Sequence, residues 1–227
     1  MDIFSLDASS GNISLVEETD DNTDVLIDSQ SGETVSDNIT KGLLSDGLNI
    51  KQNGLETSNV LGGLRLAYDI SVHTYDEIGA IVYTNSDNEK FLNVLPYEST
   101  SVHRDENNLV DGMTAGFTMK VPSSFTSSNG NFTGRPTSAF HTHPGHPEAN
   151  SYIGGPQPSD ADLEVANNNY YINGRASGQF QLYRNLNYYI LSRKTITRNG
   201  RTSNVSKYRA LGGWQLLSKT ADELLKE

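Results

Sequence analysis

Phe140-His141-Thr142-His143-Pro144, followed by Pro158-Ser159-Asp160-Ala161-Asp162-Leu163, places two imidazoles, a hydroxyl and a carboxylate in one short window. In a β-strand, residues i and i+2 point to the same face, so His141 and His143 can converge on one ion. Pro144 ends that strand. Pro158 and Ser159 read as a helix entrance, with Ser159 at the N-cap and Asp162 one turn in, where a carboxylate can face back toward the strand. Two neutral imidazoles and one carboxylate leave the fourth position of a tetrahedral zinc open to water, which separates catalytic zinc from closed thiolate sites. The chain has no cysteine, so a closed thiolate site is excluded. Each fragment also has a plainer reading. Ser159-x-x-Asp162 before an apolar residue is a capping box, and His-x-His alone suits an ordinary strand. Their occurrence together, in fixed order, is what argues for a metal.

Upstream, Glu77-Ile78-Gly79-Ala80-Ile81-Val82-Tyr83 is a glutamate opening an apolar strand with small residues. Together these motifs resemble the JAB/MPN (JAMM) metalloprotease family, whose pattern is an upstream Glu, then His-x-His-Pro, then Ser-x-x-Asp. The resemblance covers about residues 59–195, and Gly155 to Asp162 is most similar to bacterial and RadC-like members. It implies an α+β fold, a cytidine-deaminase-like mixed β-sheet flanked by helices. It also implies Zn²⁺ held by His141, His143 and Asp162, with Glu77 moving the proton of the attacking water and Ser159 donating to the oxyanion. The implied reaction is hydrolysis of a peptide or isopeptide amide, with a protein or peptide as partner. One departure stands out. His143 and Ser159 are farther apart than in the usual family spacing, because Gly145 to Gln157 form a long Gly/Pro-rich loop. His146 in that loop is open to three readings: an extra ligand, a substrate contact or a solvated side chain.

With 227 residues the chain can bury one core and carry an appended segment. Its 35% hydrophobic content and mean hydropathy of -0.52 predict that part of it is extended or loosely packed. Charge locates a boundary. Residues 1–50 hold 11 acidic residues and one basic residue, Lys41, so they carry -10 of the formal net -11. We therefore divide the chain into an acidic, β-rich leader or adaptor over residues 1–57 and a JAB/MPN-like domain over residues 58–227. The alternative for the leader is a solvated acidic extension or a small β-appendage. Its phrase Asp7-Ala8-Ser9-Ser10-Gly11-Asn12-Ile13-Ser14-Leu15-Val16 resembles the junctions before C-terminal modules of bacterial polymorphic toxins, which implies an effector module with an immunity protein as partner.

From Val165 to Ala221 there are nine basic residues and no acidic one. That bias suits either solvated strand edges or a face that meets an acidic partner, including the chain's own leader. Tyr183, Tyr188, Tyr189 and Tyr208 interleave with it and permit nucleic-acid stacking, although a pI of about 4.8 argues against nucleic acid as the main partner. No transmembrane span is evident, and Met1-Asp2-Ile3-Phe4 lacks a secretory signal. A membrane partner is not expected, and localisation is left between the cytoplasm and export by a dedicated secretion system. Absence of cysteine decides nothing about compartment.

Local patterns predict a β-hairpin over residues 3–16, a helix from Val60, and strands over Phe91–Leu95, Gly116–Val121 and Ser138–His143. A helix after Ser159 is predicted to stop within Asn167–Asn169. Gln179–Tyr183 and Asn187–Ser192 read as a hairpin, and Thr220–Lys226 as a short helix. Two other functions fit the motif: a metal-binding interaction module whose 145–157 loop blocks the water position, and a RadC-like role linked to nucleic acid.

Overall fold

Alternating apolar residues build the first sheet. β1 (Asp2–Asp7) buries Phe4 and Leu6 and pairs antiparallel with β2 (Asn12–Glu17). β3 (Thr23–Asp28) lies parallel to β1, β4 (Thr34–Thr40) borders β3, and the short β5 (Leu48–Asn49) borders β2. The hairpin predicted at residues 3–16 is therefore present, and the junction-like phrase spans its turn and most of β2. Gly11 there has φ +76, and a Cβ would come within 2.6 Å of Lys51 Cγ. Only glycine lets this turn sit against the helix α1 (Ile50–Asn53). The computed structural model describes residues 1–149 and 154–226.

The second sheet carries the motif residues. β6 (Leu55–Thr57) precedes the helix α2 (Val60–Thr74), and β7 (Gly79–Thr84) and β8 (Lys90–Val94) follow it. β9 (Glu98–Arg104) and β10 (Val110–Gly116) form a separate two-stranded ribbon. The short β11 (Phe125–Thr126) pairs with β12 (Thr133–His143), the strand that bears both histidines. A helical return follows: α3 (Asp160–Asn168), a π-helical turn over Asn169–Asn173, α4 (Gly174–Ser177) and α5 (Phe180–Asn185). β13 (Asn187–Arg198), β14 (Arg201–Tyr208), β15 (Trp214–Leu216) and α6 (Ala221–Leu224) complete the chain. The strand order is β15-β14-β13-β12-β7-β8-β6, with β12 and β13 parallel and their other neighbours antiparallel. The fold is α+β with mixed sheets.

Period-two alternation divides the core. Ala80 and Val82 of β7 join one buried cluster, while Ile81 and Tyr83 join the other with Ala139, Tyr188 and Tyr208. α2 lies between the two sheets: Leu64, Leu66, Ala67 and Ile70 share a cluster with Phe4, Leu6 and Leu26 of the first sheet and with Leu92 and Val94 of the second. The residues 1–50 thus contribute core; most of their acidic side chains lie on its outer surface, while Asp2, Asp24 and Asp28 are buried. The loose packing expected from the low hydropathy is not found in these segments.

Two local expectations are corrected and a third is extended. Residues 179–192 are not a hairpin. Since β13 runs parallel to β12, the chain between them must return along the sheet, and parallel strands need a crossover that is usually helical; Phe180–Asn185 is part of that return. α3 does end at Asn168, within the expected range, but the helical path runs on as the π-helical turn. Asn169 sends its amide to Met119 O (3.0 Å) and accepts from Val121 N–H (3.1 Å), so it does not compete for its own helix backbone and the helix continues. Those same bonds hold residues 117–121 as an irregular strap, so the strand expected over Gly116–Val121 ends at Gly116. Among the described residues no helix is long and apolar enough to cross a membrane.

A shared core makes a directional forecast. Leu26 is 0% exposed in the first sheet, and Leu26→Ala should cost about 2–5 kcal/mol. The lone tryptophan, Trp214, lies in the second sheet. Its fluorescence transition in urea should move to lower denaturant with the mutation. An unchanged Trp214 transition would show that the first sheet unfolds on its own.

Candidate metal centre

β12 and α3 bring the centre together. His141 and His143 point from one face of β12, and α3 crosses that face with Asp162 in its first turn. His141 Nε2 is 3.1 Å from His143 Nε2 and 3.0 Å from Asp162 Oδ1, and His143 Nε2 is 3.5 Å from Asp162 Oδ2. The ligating atoms of all three residues lie within 4.8 Å of one another, so the group could hold a metal ion. Both histidines are buried. The Gly155 carbonyl lies 2.8 Å from His143 Nδ1 and can only accept. That fixes Nδ1 as the donor and turns Nε2 toward the centre, the orienting contact metal-ligating histidines usually have.

The plain and functional readings of Ser159 coexist. Ser159 N–H and Oγ–H donate to Asp162 Oδ2 at 2.7 and 2.8 Å, and Asp162 N–H donates to Ser159 Oγ at 3.2 Å, a complete capping box. The cap stabilises the helix start and also aims the Asp162 carboxylate at the histidines.

Glu77 sits in the loop before β7, and its N–H donates to Thr100 Oγ1 at 2.7 Å. It lines the same cavity as the histidines and Asp162 but is not part of the ligand group. Behind β12, a hydroxyl network fixes that loop. Ser71 Oγ lies 2.6 Å from both Asp76 O and Thr142 Oγ1, and Ile78 N–H donates to Thr142 Oγ1 at 2.9 Å. One hydroxyl has one proton, so Ser71 donates to the Asp76 carbonyl and Thr142 donates to Ser71. From the other side, Lys51 of α1 meets Asp76 at 3.0 Å with both ends buried. Asp76 also accepts from Thr100 N–H at 2.9 Å. The first sheet is thereby tied to the residue next to Glu77.

The electrostatics are those of a cation site. Burial acts to raise the Asp162 carboxyl, but the facing His141 and His143 hold it well below the usual carboxylate range. Burial acts to lower the His143 imidazole, yet Asp162, Glu77 and the Gly155 carbonyl push it up to about 9. Burial raises Glu77 above an ordinary glutamate against the pull of the two histidines. Positive charge between these side chains is favoured, and a bound ion would take the place of a proton.

The cavity over the centre measures about 480 Å³, within the usual range of small-molecule sites. Tyr208 lines it, and its ring meets His141 edge-on at 6.4 Å between centroids. His146 is not in the ligand group. Its ring is 5.7 Å from that of Tyr75, over which Arg193 also sits at 5.4 Å, and its Nδ1 accepts from Glu148 N–H at 3.3 Å. The loop is joined to the β9–β10 ribbon by Arg104 and Glu148 at 2.7 Å. Tyr183, Tyr188 and Tyr208 are buried in the core, so three of the four tyrosines considered as stacking platforms are closed to nucleic acid. No ion pair between described residues joins the basic stretch after Val165 to the acidic first 50 residues.

Sequence reading placed the five motif residues in this centre but missed Thr142, Ser71, Asp76, Lys51, Asn169 and Tyr208. Only Thr142, lying between the histidines, carried a local signal. The network makes its own test: Thr142→Val keeps the shape but leaves the Ile78 N–H without its acceptor, and an unsatisfied buried donor costs about 1–3 kcal/mol. Urea unfolding should register that loss, and Ser71→Ala in the same background should add less than it does alone. Full additivity would break the network apart. No family model, no curated protein and no solved structure matches this chain.

Proposed function

We propose that this chain is a zinc-dependent peptidase or isopeptidase of the JAB/MPN type, which adds water across an amide bond. The observation that carries the reading is the convergence of His141, His143 and Asp162 with Glu77 in the same cavity but outside the ligand group. The donor set suits zinc. Tetrahedral zinc with bonds of about 2.0–2.1 Å spaces its donor atoms by about 3.4 Å; the two imidazole nitrogens are 3.1 Å apart, and with one atom from each residue the three donors lie within 4.8 Å of one another. Two nitrogens and one oxygen also leave a coordination position open.

Zinc bound there would act as a Lewis acid and bring the pKa of water toward neutrality. The chain's own residues do the rest. Glu77 takes the water's proton and passes it to the leaving amine; its raised carboxyl pKa suits a group that must both accept and give a proton near neutrality. Ser159 now gives its hydroxyl proton to Asp162, so it must turn from Asp162 to reach an oxyanion. The Gly155 carbonyl keeps His143 in the tautomer that leaves Nε2 to the ion.

Metal analysis and turnover test this together. Wild-type protein should hold one zinc, and His141→Ala or Asp162→Ala should each lose most of it. Glu77→Gln should retain zinc yet lose amide hydrolysis by about 10²–10⁴-fold on a peptide library, and Ser159→Ala by about 10²–10³-fold. Full zinc in the ligand variants would remove the assignment, whereas zinc with no turnover in wild type would favour the interaction module.

A further inference from the structure

The wall facing the candidate ligands is mostly apolar, with Thr114, Thr118 and Gln157 as its polar members. Met113 and Ala115 come from β10, Phe117 and Met119 from the strap after it, Val165 from α3 and Tyr208 from β14. It is a built surface. Buried Asn169 bonds the strap at Met119 O and Val121 N, and Tyr183 Oη donates to Val121 O at 2.9 Å. The π-helical turn that begins at Asn169 departs from regular helix where it makes these bonds, and such turns are frequent at functional sites. Phe117 presses on Gly79, where a Cβ would come within 2.5 Å of its ring. The wall therefore begins two residues from Glu77.

Apart from the two histidines, the charged side chains of the cavity are all acidic. Glu77 and Asp162 are its carboxylates, and among the described residues no lysine or arginine lines it. With the histidines turned to zinc, a side-chain carboxylate on the substrate would find no lysine or arginine, and would be desolvated beside two acids. A bulky aliphatic side chain would instead meet half-buried methionine, phenylalanine and valine surface.

We propose that this wall is a specificity pocket that selects an uncharged, bulky apolar side chain next to the scissile amide. The assignment rests on the zinc-peptidase reading. Met113, partly buried on the ribbon, and Phe117, pinned at Gly79, are the residues that set the preference.

Calorimetry of zinc-loaded protein with three amine-blocked hydroxamates tests the pocket without turnover: N-acetyl-leucine, N-acetyl-alanine and N-acetyl-glutamate hydroxamate. Zinc content is measured first. The leucine compound should bind roughly tenfold or more tighter than the alanine compound, and the glutamate compound should be the weakest. Met113→Lys should narrow the gap between leucine and glutamate by weakening the first and strengthening the second. Equal binding of all three with zinc present overturns the pocket and leaves the metal reading standing. Failure to retain zinc overturns both. The wild-type comparison decides even if the variant does not fold.

Discussion

Side chains on alternate positions of one strand must share a face, and this centre depends on that constraint acting on β12. His141 and His143 face α3 and Asp162, while Thr142 between them faces α2 and clamps the loop that carries Glu77. One residue of slip in the register would exchange the two faces. The parallel pairing with β13 on one side and the antiparallel pairing with β7 on the other fix that register from both edges.

The acidic N-terminal region reaches this centre through a buried ion pair. Lys51 and Asp76 are both nearly closed to solvent, and removing one partner of such a pair leaves a charge without compensation, typically at a cost of about 3–5 kcal/mol. The pair specifies where the 75–78 loop sits more than it adds net stability. It explains how a segment with most of the negative charge can be part of the same packed unit as the histidines. Its apolar residues join the core from one side, and most of its carboxylates face water or pair locally, as Asp28 does with the Gln30 and Ser31 amides; Asp24 is buried without such a partner.

The centre was more legible than the fold around it. Ligand spacing in a strand and a cap at a helix start are local properties, so His141, His143, Ser159 and Asp162 could be placed from their neighbours in sequence. Glu77 came only through the resemblance, and its fixation depends on Thr142, Ser71 and Thr100, partners distant in the chain. Residues 179–192 mix phenylalanine, leucine, tyrosine and isoleucine in a pattern that suits helix or strand over short lengths. The parallel pairing of β13 with β12 settles that choice, and no local pattern reveals such pairing. The π-helical continuation from Asn169 was hidden for a related reason. Asparagine usually ends helices by bonding to nearby backbone, but here the strap at residues 119–121 takes its amide.

Anomalous diffraction at the zinc edge, from crystals of the protein purified with zinc, tests the central claim most directly. The account predicts one strong peak bonded to Nε2 of His141, Nε2 of His143 and the Asp162 carboxylate, with Glu77 outside bonding distance. A zinc-replete protein whose peak lies elsewhere, or whose ion is bonded by Glu77 in place of Asp162, would contradict it.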